Sequence, residues 1–457
     1  MSKKLFNEFE PVSTKAWKQK IQLDLKGADY NNTLIWNAPE GIDVKPFYNT
    51  EDLKNTIPPI NTENNWKICQ TIYVQNTKEA NKKAIDVLNR GAESLNFVIS
   101  NDLINVSELL NSIDVQSIPI CFELEFISKT YIKTLNDIAQ KEQANFYLQI
   151  DIIGNLAKSG NWYKNLKEDY TILEYIVANC KSLKSSLSVN VSLYENSGAN
   201  INQQLAYTLA HINEYLNHFG DAIENNILFK VSVGSNYFFE IAKLKSLRLL
   251  WNTLASEYYK IPPSSIIKAI PSRRNKTIYD YNTNLLRTTT ECMSASLGGA
   301  NFICNLPYDA IYHNDNEFGE RIARNQLLVL KHESYFNIVN NPTEGAYYIE
   351  SLTNQLSEKA LALFKDIEEN GGFLKQLKEG IIQRKIKESA SKEQELFDKE
   401  VIVLLGTNKY INKNDKMKND IERYPFLKRN KRKTLIEPII PHRLSEKIEK
   451  ERLDNEK

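Results

Sequence analysis

The sequence has no long hydrophobic run and no excess of charge of either sign. No apolar stretch approaches the roughly 20 residues that a membrane-spanning helix needs, and the start, MSKKLFNEFEPVS, lacks the apolar core of a signal peptide. With 58 Lys and Arg against 57 Asp and Glu, the net charge is +1. This balance creates no global field that would attract nucleic acid or an anionic membrane. We therefore expect a cytoplasmic protein with neither of these partners.

Cysteine and histidine are also scarce, with five of each in 457 residues. The cysteines are odd in number and far apart, which indicates neither a disulfide framework nor a CxxC metal site. We expect small buried thiols in a reducing compartment. The motifs GxGxxG, HExxH and GxSxG and the P-loop are missing from the sequence. His211 and His218 are too far apart for the usual i, i+4 metal pair, and we interpret them as helix-surface residues.

One stretch, from Asn282 to Asp309, organises the rest of the chain. Its apolar residues recur at roughly helical spacing, at Leu285, Leu286, Thr289, Met293 and Leu297. Gly298 and Gly299 then end the helix where a positive φ costs least, and ANFIC restarts as a short apolar strand. A helix that feeds a strand in this way is one unit of an α/β fold.

The same rhythm continues through the chain from Trp66 onward. Strand-like runs appear as ICQTIYV, SLNFVIS, IPICFELEF, FYLQIDII, SLSVNVSL, ILFKVSV, SIIKAI and ANFIC, and helical stretches separate them. About eight strand–helix units over this length predict a (β/α)8 TIM barrel. A doubly wound open sheet is the alternative.

Several of these strands carry a polar face. Glu123 and Glu125 share one face of their strand, as do Gln149 and Asp151, then Ser188, Asn190 and Ser192, and finally Lys230 and Ser232. In a barrel the apolar face must meet the surrounding helices, so the polar face should point inward. A polar interior predicts either a channel for a polar ligand or a plug of paired charges.

The pattern divides the chain into four segments. We expect an N-terminal arm for partner contact over residues 1–60, with a linker at IPPINTENN, and the barrel over residues 61–340. A helical extension follows over residues 341–411 and a charged tail over residues 412–457. The basic run KRNKRK, from Lys428 to Lys433, is interpreted as part of a solvated tail rather than as a nucleic-acid patch.

Several stretches together resemble the methylmalonyl-CoA mutase family. The similarity runs from Trp17 to about Tyr410 and is strongest in YFFEIAKLKSLRLLW, LLRTTTECMSASLGGAN, FGERIARNQLLVL, NPTEGAYYIE and GTNKY. The resemblance implies a (β/α) barrel whose small polar interior residues admit the pantetheine arm of coenzyme A. It also implies a separate C-terminal domain that binds adenosylcobalamin through a DxHxxG motif, and a radical rearrangement in the closed barrel.

The chain departs from the family's pattern at the positions that carry out the reaction. The family's strand motif W-x-I-R-Q-Y ends in the catalytic tyrosine, and the matching stretch here is WKICQT, so Cys69 replaces the arginine and Thr71 the tyrosine. The ungapped match to the family's YHMQEAGA puts Leu193 at the catalytic histidine. Asn301 and Cys304 match the glutamine and histidine of the strand that follows Gly-Gly.

These departures predict a subunit without catalysis of its own. The hydroxymethyl-type group of Thr71 cannot replace a phenol that protects a radical pair. The isobutyl group of Leu193 cannot replace an imidazole that polarises a thioester carbonyl. No DxHxxG occurs, and the residues after Tyr410 are too few and too polar for a doubly wound domain, so we expect the cobalamin-binding domain to be absent. We expect no catalytic, cofactor-binding or metal-binding residues in this chain.

The resemblance therefore implies the small, non-catalytic subunit of a heterodimeric methylmalonyl-CoA mutase, an isomerase whose large subunit carries adenosylcobalamin. Acyl-CoA binding by this chain is not expected. We predict that the barrel interior is filled by a plug in which Lys230 pairs with Glu123, Glu125 or Asp151, since buried charges persist only when paired. Two alternatives stay open: a barrel that retains acyl-CoA binding or a shared active site, and a stand-alone scaffold pseudoenzyme.

Overall fold

The computed structural model describes residues 8–10, 12–53, 65–427 and 432–456. The strands are β1 (Trp36–Asn37), β2 (Asp43–Val44), β3 (Lys67–Val74), β4 (Ser94–Ile99), β5 (Ile120–Leu124), β6 (Phe146–Gln149), β7 (Ser185–Asn190), β8 (Asn226–Val233), β9 (Ser265–Pro271) and β10 (Phe302–Ile303). The helices of the first half are α1 (Thr14–Asp24), α2 (Tyr30–Leu34), α3 (Thr77–Asn89), α4 (Val106–Leu109), α5 (Lys129–Glu142), α6 (Ile152–Ser159), α7 (Leu166–Asn179), α8 (Ser192–Asn196) and α9 (Ile201–Phe219). Those of the second half are α10 (Tyr237–Ala255), α11 (Thr283–Leu297), α12 (Glu317–Leu328), α13 (Tyr347–Glu369), α14 (Phe373–Lys378), α15 (Ile381–Asp398) and α16 (Glu446–Asp454).

Strands β3 to β10 form a closed barrel in chain order, with β10 paired to both β3 and β9. All of these pairings are parallel, and helices lie between successive strands. The eight strands are those that the sequence predicts, and the alternative of an open sheet is wrong. The fold is a (β/α)8 barrel with an N-terminal arm and a helical C-terminal extension.

The two faces of the barrel strands have different partners. Ile72, Phe97 and Phe122 belong to the large core that packs the strands against the helices. The residues that alternate with these along each strand point into the barrel. There, a separate small cluster contains Cys69 and Cys121. This alternation follows from the two-residue period of a strand.

Three of the expected strands end earlier than the sequence suggests. β5 ends at Leu124, before Glu125, and β6 ends at Gln149, two residues before Asp151. Ser192 is the first residue of α8, not part of β7. A carboxylate or hydroxyl just after a strand is well placed to begin a helix, and Asp151 does so by accepting a hydrogen bond from the Gly154 amide at 2.7 Å.

The two glycines between α11 and β10 have different roles. Gly299 has the expected positive φ of +83°, whereas Gly298 has an ordinary φ of −79°. A Cβ at Gly298 would lie only 2.9 Å from Cδ1 of Leu244. Gly298 therefore lets α10 pack closely against the end of α11, and only Gly299 uses a conformation that favours glycine.

The N-terminal arm contains α1, α2 and the antiparallel hairpin of β1 and β2. The Ser13 side chain accepts a hydrogen bond from the Ala16 amide at 3.1 Å. Apart from Asn65, the predicted linker IPPINTENN lies outside the described residues. The division of the chain into four segments stays a prediction.

The described part of the tail is only partly solvated: Arg432 and Lys433 of the basic run are exposed, but other tail residues are buried. Met417 and Glu449 are fully buried. The tail crosses the loops after three barrel strands, where its backbone amides donate to carbonyl oxygens of Gly160, Asn196 and Arg274. Of the basic run, Lys428–Lys431 lie outside the described residues, while the Arg432 guanidinium donates to the Ser159 carbonyl at 2.6 Å. None of the described helices combines the length and the apolar character needed to cross a membrane.

Candidate functional site

A cavity of about 410 Å³ opens at the carboxyl end of the barrel, and we call it the mouth cavity. Its walls come from the ends of the strands and the loops that follow them, including Tyr73, Ser232 and Arg273. Active sites of (β/α)8 enzymes are built at this end because the loops there vary while the barrel stays rigid. The mouth cavity is therefore the candidate functional site.

The structure brings to this cavity three of the five positions at which the sequence departs from the family's motifs. Thr71, Leu193 and Cys304 line it together. Asn301 does not line it; its side-chain oxygen accepts hydrogen bonds from the Arg248 guanidinium at 2.7 Å and the Ile267 amide at 2.9 Å. The three lining side chains supply a hydroxyl, an alkyl group and a thiol, and no histidine occurs among the described residues that line the cavity.

A phenol that the sequence comparison did not single out also lies at the mouth. Tyr73 is two residues beyond Thr71 on the same strand face, and its side chain is about half exposed. Burial raises the pKa of its hydroxyl, so the group stays protonated near neutral pH. The two-residue period of β3 is the signal that could have found it.

Charged side chains form the floor of the mouth cavity. The Lys230 ammonium donates to the Glu123 carboxylate, and the Lys268 ammonium lies 3.4 Å from the other oxygen of the same carboxylate. Lys268 also donates to the Asn96 side-chain oxygen at 2.7 Å, and Gln149 donates to that oxygen at 2.8 Å. The predicted pairing of Lys230 with Glu123 is confirmed. These five residues are called the barrel plug below.

Electrostatics hold the barrel plug in its ionised form. Burial alone would raise the pKa of the Glu123 carboxyl, but the charges of Lys230 and Lys268 hold this pKa well below its usual range. Burial lowers the pKa of Lys230, while Glu123 opposes that effect. One carboxylate shared by two ammonium groups satisfies the rule that a buried charge needs a partner.

Apolar side chains fill the barrel below the plug. Phe302 and Tyr147 meet edge to face with ring centroids 5.1 Å apart, and they pack with Leu228 and Ile266 from the neighbouring strands. These residues lie near the amino ends of β6, β8, β9 and β10. Together with the barrel plug they occupy the barrel axis from its amino end to its middle. These side chains lie where an extended chain such as a pantetheine arm would have to pass along the axis.

Asp151 takes part in a different buried network from the one considered in the sequence analysis. Its Oδ1 atom is 2.9 Å from Nε2 of His211 and accepts a hydrogen bond from the Tyr215 hydroxyl at 2.9 Å. His211 is fully buried, with its Nδ1 atom 2.8 Å from the Tyr194 hydroxyl. The interpretation of His211 as a helix-surface residue is wrong, since α9 is buried on several sides. His218 is part-exposed and contacts Glu174, as a surface residue should.

The described residues do not suit a metal ion or adenosylcobalamin. They contain no cluster of three or more His, Cys, Asp or Glu side chains that could hold a metal. All five cysteines are free and buried, as expected. The mouth cavity offers no imidazole to cobalt among its described lining residues, and its floor is occupied by the barrel plug. No reaction step through that cofactor can be derived from this chain's residues.

Comparisons with known proteins agree with this architecture. The sequence model for methylmalonyl-CoA mutase matches residues 101–454. The chain is 36% identical over 447 residues to the methylmalonyl-CoA mutase small subunit of Porphyromonas gingivalis. This match covers 90% of this chain and 71% of that protein. It is 29% identical to the methylmalonyl-CoA mutase of Cereibacter sphaeroides, with 86% of this chain and 64% of that protein covered.

A mitochondrial relative gives the same result at lower identity. The chain is 27% identical to the human mitochondrial methylmalonyl-CoA mutase, with 90% of this chain and 62% of that protein covered. The chain thus spans somewhat less than two thirds of the length of these two longer mutases. The matches and the closed barrel lead to one conclusion: the chain belongs to the methylmalonyl-CoA mutase family.

Proposed function

We propose that this chain is the small, non-catalytic subunit of a heterodimeric, adenosylcobalamin-dependent methylmalonyl-CoA mutase. Its partner is a large subunit that holds the cofactor and interconverts (R)-methylmalonyl-CoA and succinyl-CoA. The chain itself acts structurally and works in the cytoplasm. A relative named as a small subunit, 36% identical to this chain, supports the existence of such a partner.

The filled barrel axis is the observation that carries the proposal. A thioester substrate of this family needs room for its pantetheine arm, and here that space holds the pair of Lys230 and Glu123 above the packed rings of Tyr147 and Phe302. A barrel that cannot admit the substrate has no mutase activity, whichever side chains line its mouth cavity. The ion pair is also costly to open, because separating buried charges leaves each without a partner.

The chemistry at the mouth supports the same proposal. Thr71 and Leu193 stand at the positions that match the family's tyrosine and histidine. Leu193 is 3% exposed and presents only carbon atoms, so it can neither donate a proton nor polarise a carbonyl. Tyr73 supplies a phenol, but without a neighbouring imidazole the acid and electrophile of the family's reaction are missing.

The N-terminal arm is the segment that we propose for contact with the large subunit. Its helix α1 exposes Trp17 and Leu23, which are 53% and 73% exposed. Large apolar side chains of this kind lose solvent contact at subunit interfaces. Exchanging both for serine should weaken association without changing the barrel.

Reconstitution tests the proposal. Mutase activity with adenosylcobalamin is measured for this chain alone, for the large subunit alone and for the two co-expressed. We expect a co-eluting heterodimer, activity only where the large subunit is present, and none from this chain alone. Turnover by this chain alone would mean that the assignment of Thr71 and Leu193 to the catalytic positions is wrong.

The mouth cavity favours a second candidate, a barrel that still binds part of an acyl-CoA or shares an active site with its partner. Lys158, Arg273 and Arg423 line this cavity and could contact an anionic group. Affinity for coenzyme A in the absence of the partner would favour this candidate. A stable monomer that ignores the large subunit would instead favour a stand-alone scaffold.

A further inference from the structure

A second cavity, of about 540 Å³, shares no lining residue with the mouth cavity. It is enclosed by the turn after β1, by the loops after β7, β8 and β9, and by one face of α15. We call it the side cavity. The carboxylates of Glu40, Glu195 and Glu240 line it on the barrel side. A concave space with a few polar groups directed into it is the usual form of a small-molecule site.

All three carboxylates are buried with one oxygen atom that accepts no hydrogen bond, but the Oε2 atom of Glu240 forms an ion pair with Lys243 at 2.5 Å, whereas Glu40 and Glu195 form no ion pair among the described residues. Glu195 is 8% exposed and Glu40 is 9% exposed. The Oε2 atom of each lacks a hydrogen-bond partner among the described residues. Burial raises the pKa of Glu195 to about 7, against the opposing charge of Lys243. An unsatisfied buried carboxylate is unfavourable, and each such group calls for an explanation.

The nearby lysine cannot satisfy them. The Lys243 ammonium has three donor hydrogens, and it contacts the Glu240 carboxylate at 2.5 Å, the Gln204 side-chain oxygen at 3.1 Å and the Ser232 carbonyl at 2.7 Å. Its charge is therefore paired with Glu240, and its two hydrogen bonds go to Gln204 and Ser232. Glu40 and Glu195 need a donor from outside the chain, and an ammonium group is the strongest such donor.

An arginine with one nitrogen atom that has no hydrogen-bond partner among the described residues lines the same cavity. The Arg274 guanidinium donates from Nε to Glu393 at 2.6 Å and from Nη1 to the His442 carbonyl at 3.0 Å. Its Nη2 atom has no partner in the described part of the chain, although the residue is only 4% exposed. Gly198 keeps this nitrogen clear, because a Cβ there would lie 2.9 Å from Nη2. An anionic group of a ligand can accept from Arg274.

We propose that the side cavity binds a small amino-acid zwitterion, whose ammonium group contacts Glu40 and Glu195 and whose carboxylate contacts Arg274. Unpaired groups of both signs in one cavity select a molecule that carries both charges. A simple amine leaves Arg274 unsatisfied, and a simple carboxylic acid meets two repelling carboxylates.

Isothermal titration calorimetry on the full chain tests this proposal with each of the twenty amino acids, and with ethylammonium and propionate as half-ligands. We expect at least one amino acid to bind with a dissociation constant of about 1 mM or lower. Each half-ligand should bind about tenfold more weakly or not at all, because one charged hydrogen-bond set is lost. Glu195→Gln should weaken binding of the amino acid by about tenfold for the same reason.

A pair of matched variants on α15 locates the binding. Ser389 lines the side cavity and is half-buried, whereas Ser391, on the same helix, is exposed and lines no part of the cavity. Ser389→Tyr should abolish binding by filling the space, and Ser391→Tyr should leave it unchanged. Both variants should keep the melting temperature of the parent within a few degrees.

Three results would each overturn the proposal. The first is that no amino acid binds to the parent chain. The second is that Ser389→Tyr binds the ligand as tightly as the parent and Ser391→Tyr do. The third is that ethylammonium or propionate binds as tightly as the amino acid, since recognition would then require only one of the two charges.

Discussion

Glu123 illustrates how a single residue can decide what a barrel interior does. It is the fourth of the five residues of β5, its side chain is 24% exposed, and its carboxylate is shared by the ammonium groups of Lys230 and Lys268. A neutral residue there would leave two lysines facing each other in a space with little water. The carboxylate therefore stabilises the plug that closes the axis.

Glu123→Gln should lower the free energy of unfolding by about 3–5 kcal/mol, because both lysines lose their counter-charge. Glu125→Gln is the matched control, since Glu125 lies two residues farther along the same face and is exposed, and it should change stability by about 0.5 kcal/mol or less. Urea unfolding measures both. Equal effects at the two positions would contradict the plug.

Glu195 predicts a specific dependence of stability on pH. Burial raises its pKa from the ordinary value of 4.5 to about 7 in the folded chain. Between these two values the folded state holds a proton that the unfolded state has released, so this group's contribution falls as pH rises. The parent should lose about 3 kcal/mol relative to Glu195→Gln between pH 4.5 and pH 8. A difference between parent and variant that stays constant with pH would contradict the raised pKa.

At the scale of elements, much of the fold could be predicted because strand and helix periods are local properties of the chain. All eight barrel strands were recognisable in this way. The pairing of Lys230 with Glu123 was predictable because both lie on polar strand faces. The alternation of polar and apolar residues therefore carries information about the barrel interior as well as its outside.

Other features depend on contacts between distant residues and could not be read from local pattern. Lys268 is a lone charge in the apolar run SIIKAI, and its role follows only from its closeness to Asn96 across the barrel. His211 has the sequence context of a surface helix, but α9 is covered on several sides. The side cavity joins Glu40 to Arg274, which are far apart in sequence.

The contact between α10 and α11 gives a test at the same scale. Gly298→Ala should destabilise the chain by about 1–3 kcal/mol, since the new methyl group would lie 2.9 Å from Leu244. Combining it with Leu244→Ala should cost less than the sum of the two single changes, because the contact with Cδ1 at 2.9 Å is removed while the contact with Cβ at 3.0 Å remains. Thermal unfolding of the four proteins completes the cycle, and simple additivity would contradict the close contact.

At the scale of the whole molecule, the tail returns to the barrel and closes its surface. Glu449 of α16 accepts from the Arg443 guanidinium at 2.5 Å and from the Ile278 amide at 2.9 Å, and it is fully buried. Arg443 also donates to the Lys276 carbonyl at 3.0 Å. Hydrogen bonds of Glu449 with Ile278 and of Arg443 with Lys276 thus fix the tail to the loop after β9, and the buried ion pair between Arg443 and Glu449 holds these two side chains in place.

Glu449→Gln should lower the free energy of unfolding by about 3 kcal/mol or more, because it leaves Arg443 buried without a counter-charge. Glu451→Gln, at an exposed position of the same helix, is the control and should change stability little. Limited proteolysis should release the tail of the first variant and leave that of the second intact. A tail that resists cleavage in both variants would show that the ion pair does not hold it.

The central claim about the whole molecule is that the barrel keeps its family's shape while its axis is filled. The most direct measurement is the number of succinyl-CoA molecules that the purified complex with the large subunit binds at saturation, determined by equilibrium dialysis. The filled axis predicts one molecule per heterodimer, bound by the large subunit, and none for this chain alone. Two molecules per heterodimer, or saturable binding by this chain alone, would show that its barrel still admits the substrate.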